Sequence, residues 1–494
     1  MLFCELLQHE KVIWSAGGAY TPVSGITLDS RACARGSLFF CIRGARQDGH
    51  DYAMDAYRRG CRHFVAERML SLPPDASILI CPSVTKKMAL IAARYYKDPG
   101  SEMLLIGVTG TKGKTTTSLM LRGLLAAVGI PSIYIGSSGV VFGDRHILTD
   151  NTTPPSVDTL RYLRAAADQG IRVAIMEVSS QALSKDRVFG FPFSFCVFTN
   201  LSRDHIGVGE HASMAEYRAA KMRLFTDFNP KMLVLNCEEP FSHDVMRACG
   251  NTSCLLYGNG IGSFAGYASV KQHIEDERLY TSFLLKMRGQ EHRVALGLAG
   301  MHYVLDLLAA LSTACAVSGL AHTAFLPCIS SLSVPGRCEV YSAPSGALFV
   351  IDYAHNGASL GAALRGLRPY VSGRLFCLFG AVGERTACRR ADMAAAAERY
   401  ADHSVITSDN PGGEDAEKIT EEIRSHFTNP ALCTCICDRE EAIYHLLGIA
   451  KCGDVVLLAG KGDEKYQILA EGKRPFCERD IIEKFGGVQK QKIK

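Results

Sequence analysis

The chain reads as an α/β protein of three domains: a small N-terminal α/β domain over residues 1–99, a central parallel-sheet domain over 100–333 and a C-terminal Rossmann-like domain over 334–494. Three observations predict this. A length of 494 residues corresponds to roughly three domains of about 150 residues each. Short, nearly continuous apolar runs alternate with helical patterns, as in strands of a parallel sheet covered on both faces. Turn-forming stretches, Lys97-Asp98-Pro99-Gly100 and Val334-Pro335-Gly336, separate the series.

In the first series the strands are SLFFCI from Ser37, HFVAE from His63 and SILICP from Ser77, with a helix over Tyr52–Arg59. In the second, MLLIGV from Met103 leads to a helix from Lys114, and VAIMEV, FCVFTN and MLVLN follow. In the third, ALFVIDYA, RLFCLFGA, HSVITSD and DVVLLAG repeat the pattern. No short internal repeat and no low-complexity segment interrupts them.

Apolar residues make up 47% and charged residues 21% of the chain, which excludes a mostly disordered protein. A formal charge of +4 is too slight for a dedicated nucleic-acid or membrane-surface binder. The N-terminus carries Glu5 and Glu10 and no signal-like apolar run, and no stretch holds the ~18 uninterrupted apolar residues of a spanning helix. The 19 cysteines are scattered through apolar runs, where they act as small buried hydrophobes. Their one cluster, Cys433, Cys435 and Cys437, fits a metal site or, more commonly, alternate positions of one strand. A reduced, cytoplasmic protein without nucleic-acid or membrane partners is expected, and a monomer.

The strongest signal is IGVTGTKGKTTTSLMLRGLLAAVG from Ile106. An apolar strand runs into a glycine-rich turn that opens a helix. Gly110 and Gly113 let backbone N–H groups curl around a phosphate, and the helix N-terminus adds partial positive charge. Lys114 can reach the β- and γ-phosphates, and the Thr115 hydroxyl can ligate Mg²⁺. The general pattern wants Gly where Val108 stands, so this is a GTxGKT variant of the phosphate-binding loop. A glycine turn with a surface lysine is the bland alternative; strand, turn, Lys-Thr and helix in the required order argue against it.

Glu177 ends an apolar strand, where α/β folds place ligands. On pattern alone, a metal ligand and a satisfied strand-end carboxylate fit it equally. A further strand ends in Asn200, Asp204 and His205, and Lys221 lies in the next helix; alone it would be a solvated surface residue.

These motifs resemble the Mur ligase family, which adds amino acids to a peptidoglycan precursor, and within it the tripeptide synthetases. LDSR (28–31), TGTKGKTTT (109–117), NTTP (151–154), EVSSQAL (177–183), NLSRDH (200–205), YRAAK (217–221), PGR (335–337), DYAHN (352–356), GERT (383–386), DNPG (409–412) and GKGDE (460–464) carry the resemblance over essentially the whole chain. It implies a central P-loop ATPase domain in which Gly110, Thr111, Lys112, Gly113, Lys114, Thr115 and Thr116 bind ATP. It further implies that Ser30 contacts uridine and that Asn151, Thr152, Thr153, Ser179 and Arg187 hold the UDP-N-acetylmuramoyl dipeptide. Thr115 and Glu177 would ligate one Mg²⁺. Lys221, carbamylated by CO₂, would with His205 help place a second, since an ammonium cannot ligate a metal and a carbamate can. Lys114, Glu177, His205 and Lys221 form the implied catalytic set. Arg337 and Asp352 would reach the nucleotide, and His355, Arg385, Asp409, Asn410, Gly460 and Glu464 would line the amino-acid pocket.

Some positions depart from the family pattern. Gln181 stands where His is frequent, DHIGVGEH replaces DHLDYHG, His302-Tyr303-Val304-Leu305-Asp306 replaces the adenine-side FNVYN, and Asp463 replaces the His of GKGHE. Members that add meso-diaminopimelate usually carry DNPR, whose Arg forks onto the distal carboxylate. With Gly412 in that place, and with Glu414, Asp415 and Asp463 nearby to meet a distal ammonium, L-lysine or L-ornithine is the expected diamino acid. Alternatively, Glu414 and Asp415 merely favour the start of the next helix. Competing readings are another Mur-type or folylpolyglutamate-type amide ligase, against which DNPx and GERT speak, and a P-loop nucleotide switch, which would need neither Glu177 nor Lys221.

Overall fold

The computed structural model describes residues 1–7, 21–44, 47–204, 206–207, 210–383 and 388–490. Their contacts divide the chain into two compact units: Met1–Ser118 with Gly129–Leu235 and Glu239–Cys254, and Leu119–Val128 with Asn236–Glu238 and Leu255–Lys494.

The first unit opens with a four-stranded parallel sheet in sequence order, Gly25–Thr27, Ser37–Phe40, His63–Ala66 and Ser77–Ile80. Ser37–Phe40 and His63–Ala66 are buried throughout, as continuous apolar runs in a doubly covered sheet should be. Helix Val84–Tyr95 starts at Ser83, whose Oγ accepts from the Lys86 N–H, and buries Val84, Met88, Ala89, Ile91 and Ala92, the i, i+4 spacing of one face. The expected helix over Tyr52–Arg59 is Ala53–Arg58, preceded by a 3₁₀ turn over Gly49–Tyr52.

Further along the same unit, strands lie in the order Met232–Asn236, Phe193–Phe198, Leu104–Thr109, Val173–Glu177, Ser132–Gly136, Gly139–Phe142 and Arg145–Ile147. The first five run parallel and the last two are antiparallel. Leu104–Thr109 therefore sits between Phe193–Phe198 and Val173–Glu177, and the loops after all three strands leave the same sheet edge. That is where ligands sit in open α/β sheets.

The second unit contains a feature the reading of apolar runs did not anticipate: three long antiparallel strands, Ala265–Glu275, Arg278–Met287 and Gln290–Leu296. Their signal is alternation rather than continuous apolarity. In RLYTSFLLKM every second residue from Leu279 to Met287 is buried. Positive φ at Asp276, Glu277, Arg288 and Gly289 makes the two tight turns. Helix Met301–Ser318 is long and apolar enough by composition to cross a membrane. It is nonetheless buried almost continuously from Tyr303 to Cys315, Asp306 included, which makes it a core helix.

The last sheet runs Cys433–Cys435, His403–Ile406, Leu375–Phe379, Val455–Ala459, Leu348–Asp352, Glu339–Ser342 and Val488–Gln489. It is parallel up to Leu348–Asp352 and antiparallel beyond, so the all-parallel expectation fails at one edge, where a tight turn joins Glu339–Ser342 to its neighbour. Cys433–Cys435 pairs with Ser404–Ile406 as a strand. Every described cysteine whose side chain is placed is a free thiol.

Candidate active site

In the first unit, the turn after Leu104–Thr109 is clamped from the neighbouring strand end. Thr111 N–H donates to the Asn200 carbonyl (2.8 Å), and Lys112 N–H donates to Asn200 Oδ1 (2.9 Å). The Lys112 carbonyl accepts from Thr199 Oγ1 (2.6 Å) and Asn200 Nδ2 (3.1 Å). A Cβ at Gly110 would stand 1.9 Å from Thr199 Oγ1, and Gly113 holds φ +80°, so each position requires glycine for its own reason. Thr199 and Asn200 act as the loop's scaffold; the sequence marks Asn200 as a polar strand end but hides its pairing with the turn, because the partners lie almost 90 residues apart. Thr115 and Thr116, at the start of helix Lys114–Ala127, are buried.

Three lysines converge on this turn. Lys114 Nζ donates to the carbonyls of Gly110 (2.9 Å) and Thr111 (3.2 Å). Lys112 pairs with Asp204 at 3.0 Å. Lys221, on helix Met214–Thr226, is 1% exposed; its Nζ donates to the Gly110 carbonyl (2.7 Å) and lies 4.6 Å from the centre of the Tyr217 ring. Burial, with the Lys114 charge adding to it, pushes the Lys221 ammonium well below the usual lysine range against the pull of Asp204. A lysine that would be called a solvated surface residue is thus desolvated and lies beside the glycine-rich turn. His205 lies outside the described residues.

Glu177 is fully buried at the end of Val173–Glu177. The Tyr134 hydroxyl makes a short hydrogen bond to its Oε1, Ser137 N–H donates to the same oxygen at 3.0 Å, and Ser137 Oγ donates to Oε2 at 3.3 Å. Ser137 Oγ also meets Thr152 Oγ1 at 3.0 Å. Thr153 Oγ1 donates to the Glu177 carbonyl (2.8 Å) and accepts from Ser179 N–H (3.1 Å). Arg187 Nη1 donates to Asn151 Oδ1 and the Thr153 carbonyl, both at 3.1 Å. Asn151, Thr152, Thr153, Ser179 and Arg187 therefore form one network around Glu177. A Cβ at Gly136 would stand 2.2 Å from Glu177 Oε1 and 2.3 Å from the Tyr134 hydroxyl. Gly136→Ala is expected to cost about 1–3 kcal/mol from overpacking and to cut turnover more than tenfold, as read from thermal midpoint and initial rate.

Ser30 opens the 3₁₀ turn Ser30–Ala32, capped by Asp29, which also binds the exposed Arg31.

In the second unit, Arg337 lies with its guanidinium 4.5 Å from the Tyr353 ring centre. Asp352 Oδ2 accepts from the Tyr303 hydroxyl (2.7 Å) and Cys338 N–H (3.0 Å), and Oδ1 accepts from Ala354 N–H (3.0 Å). His355 packs against Tyr353. Asp409, Asn410, Gly460 and Glu464 meet around Lys461, which is fully buried. Its Nζ makes a short hydrogen bond to Asn410 Oδ1, donates to the Tyr466 carbonyl at 3.0 Å and pairs with Asp409 (3.2 Å) and Glu464 (3.3 Å). Asn410 Nδ2 donates to Glu464 Oε2 (3.1 Å). Burial raises the Glu464 carboxyl above the usual range against the pull of Lys461. Lys461 was passed over in the sequence because nothing local marks it as buried. Arg385 lies outside the described residues.

The chain matches the Mur ligase middle domain over residues 108–314, the Mur ligase glutamate ligase domain over 336–462 and the Mur ligase family catalytic domain over 22–96. The chain belongs to the Mur ligase family. The UDP-N-acetylmuramoyl-L-alanyl-D-glutamate–2,6-diaminopimelate ligase of Geobacillus thermodenitrificans is 35% identical to this Mur ligase over 485 residues, covering 96% of this chain and 97% of its own. The protein of the same name from Chlorobium phaeobacteroides is 34% identical over 499 residues, covering 98% and 96%. A solved ligase of that name is 27% identical, with a TM-score of 0.70 and 98% of each chain covered. MurF from Thermotoga maritima in complex with ADP shares the fold, with a TM-score of 0.62 at 19% identity over 88% of this chain and 94% of its own. This Mur ligase is an ATP-dependent, amide-bond-forming ligase of peptidoglycan synthesis.

These relatives overturn the expectation of L-lysine or L-ornithine, since they are named for 2,6-diaminopimelate. The structure supplies the physical reason. Glu414 is committed to Arg390, which donates to its two oxygens at 2.8 and 2.7 Å. Asp415 caps helix Ala416–Ser425, accepting from Glu417 N–H. Two of the acids named for a distal ammonium thus serve the local fold, Asp415 in the helix-start role that the alternative reading gave it.

Proposed function

We propose that this Mur ligase joins 2,6-diaminopimelate to UDP-N-acetylmuramoyl-L-alanyl-D-glutamate, acting as a tripeptide synthetase in the cytoplasm. The observation that carries the reading is similarity at about 35% identity over 96–97% of the chain to ligases of that name. In this reading residues 1–99 take the uridine end through Ser30. Residues 100–333 take ATP on Gly110–Thr116 and the muramoyl dipeptide on Asn151, Thr152, Thr153, Ser179 and Arg187. Residues 334–494 take the amino acid beside His355, Asp409, Asn410, Gly460 and Glu464, and Arg337 and Asp352 are the residues that would bind the nucleotide.

The acceptor carboxylate is a poor electrophile because its charge is delocalised. Transfer of the ATP γ-phosphoryl to it forms a P–O bond, releases ADP and leaves an acyl phosphate. The free amine of the amino acid then attacks the acyl carbon, phosphate departs and an amide remains. Phosphoryl transfer is mostly positioning and charge neutralisation, which the turn N–H groups and Lys114 supply. Mg²⁺, when bound, neutralises phosphate charge. Thr115 and Glu177 offer the hard oxygen donors it prefers, and Lys221 as its carbamate, with His205, would serve a second ion. The desolvated Lys221 amine suits carbamylation, in which its nitrogen bonds the carbon of CO₂ and releases a proton.

The test is phosphate release with UDP-N-acetylmuramoyl-L-alanyl-D-glutamate, ATP and a panel of diamino acids. Release is expected to be highest with meso-diaminopimelate and to require the muramoyl dipeptide. A higher kcat/KM with another amino acid would refute the specificity, and release without the dipeptide would refute the ligase reading.

A further inference from the structure

Glu177 is held more tightly than a strand-end carboxylate needs to be, and the residue that holds it lies on the adjacent strand. Tyr134 is the middle residue of Ser132–Gly136, all five residues of which are buried. That strand runs parallel to Val173–Glu177 with Tyr134 opposite Ile175. The hydroxyl passes over Gly136, where any side chain would collide with both it and Glu177 Oε1. Its oxygen accepts from Ser138 N–H at 3.3 Å, which leaves its hydrogen to point at Glu177.

We propose that Tyr134 is a positioning residue: its hydroxyl, with Ser137, locks Oε1 of Glu177 in the protein and so aims Oε2 as the oxygen offered to the nucleotide-bound divalent cation. This rests on the reading of Glu177 as a ligand to that ion. The terminal torsion of a glutamate is broad and roughly two-fold, so a carboxylate without such donors must be ordered when the metal arrives. Here Oε1 already takes two donors, the hydroxyl and Ser137 N–H. Among the described residues, Oε2 has only the longer contact from Ser137 Oγ at 3.3 Å, a hydroxyl that can rotate toward Thr152 Oγ1. Partners that orient a metal ligand typically govern 10–100-fold in metal affinity or activity. Phenylalanine at position 134 keeps the ring and removes only the donor.

The experiment compares the full-length protein with Tyr134→Phe, Tyr134→Met and Glu177→Gln. Mn²⁺ binding in the presence of ADP is followed by electron paramagnetic resonance of the free ion. In parallel, turnover is titrated with Mg²⁺, and thermal midpoints are recorded. Tyr134→Phe is expected to need about tenfold more Mn²⁺ for half-binding and about tenfold more Mg²⁺ for half-maximal rate, with kcat at saturating Mg²⁺ within about twofold of the parent. A purely structural tyrosine would move the midpoint and leave the metal titrations alone. Tyr134→Met, read in the same way, serves if the phenylalanine variant does not fold. Unchanged Mn²⁺ binding in the tyrosine variants while Glu177→Gln weakens it overturns the proposal alone. Unchanged binding in Glu177→Gln overturns the ligand assignment, and the proposal with it.

Discussion

Lys221→Ala is expected to lower turnover by about 10³-fold, the cost of losing a preorganised group that supports charge at a phosphoryl-transfer centre, while the protein still folds. The amine is fully desolvated, and its donor bond to the Gly110 carbonyl at 2.7 Å can be replaced by the nearby Lys114, which already donates to the same oxygen. If the group that matters is the carbamate, formate or acetate supplied in solution should recover part of the rate in the alanine variant. ¹³C-bicarbonate should also give a carbamate resonance in the parent and none in the variant. The pH dependence follows from the direction of the shift. Because burial lowers the Lys221 pKa, the amine stays neutral further into the acid than an ordinary lysine, and carbamylation is lost only as pH falls through that lowered value. A variant within tenfold of the parent rate would show that Lys221 serves only the fold.

The largest effect on stability is expected from Arg439→Met. Arg439 and Glu478 form a fully buried pair in the second unit, with side chains 0% and 1% exposed and Nη2 2.8 Å from Oε1. Nε donates to the same oxygen at 2.9 Å, and Nη2 also donates to the Ala459 carbonyl at 2.7 Å. Burial raises the Glu478 carboxyl, and Arg439 is the first group opposing it. Removing the arginine leaves an uncompensated buried carboxylate, which costs about 3–5 kcal/mol, whereas replacing both partners with apolar residues is often close to neutral. Denaturant unfolding of Arg439→Met and of Arg439→Met with Glu478→Leu should therefore show a large loss in the single variant and recovery of most of it in the double. Equal losses in both would mean that the carbonyl contacts at Ala459, and not the charge, carry the stability. Ala459 immediately precedes Gly460, so the same arginine also anchors the strand end that leads to Gly460 and the buried Lys461.

The glycine-rich turn is legible because its parts are contiguous: strand, glycines, Lys114, Thr115 and helix follow one another along the chain. Glu177 was legible for a similar reason, as an acid closing an apolar run. Its holder Tyr134 was not, because a tyrosine in a strand reads as core until the register with Val173–Glu177 is known. Lys461 and Lys221 lay hidden in the same way. Lysine is normally a surface residue, and only the folded chain shows that both are buried among carbonyls and carboxylates.

The misjudged amino acid teaches the same lesson at one position. The sequence shows Gly412 in place of a cation and leaves Glu414 open to a distal ammonium or to the start of the next helix, whereas in the fold Arg390, 24 residues upstream, holds it. Order and spacing along the chain decided the domain series, the family and the ATP chemistry, because those depend on local backbone conformation and on motifs that carry their own geometry. Packing decided which charges are paired, how the two oxygens of Glu177 are shared among their donors and which lysines are buried. Desolvation and hydrogen bonding are set by neighbours in space, and those neighbours come from strands and helices far apart in the chain.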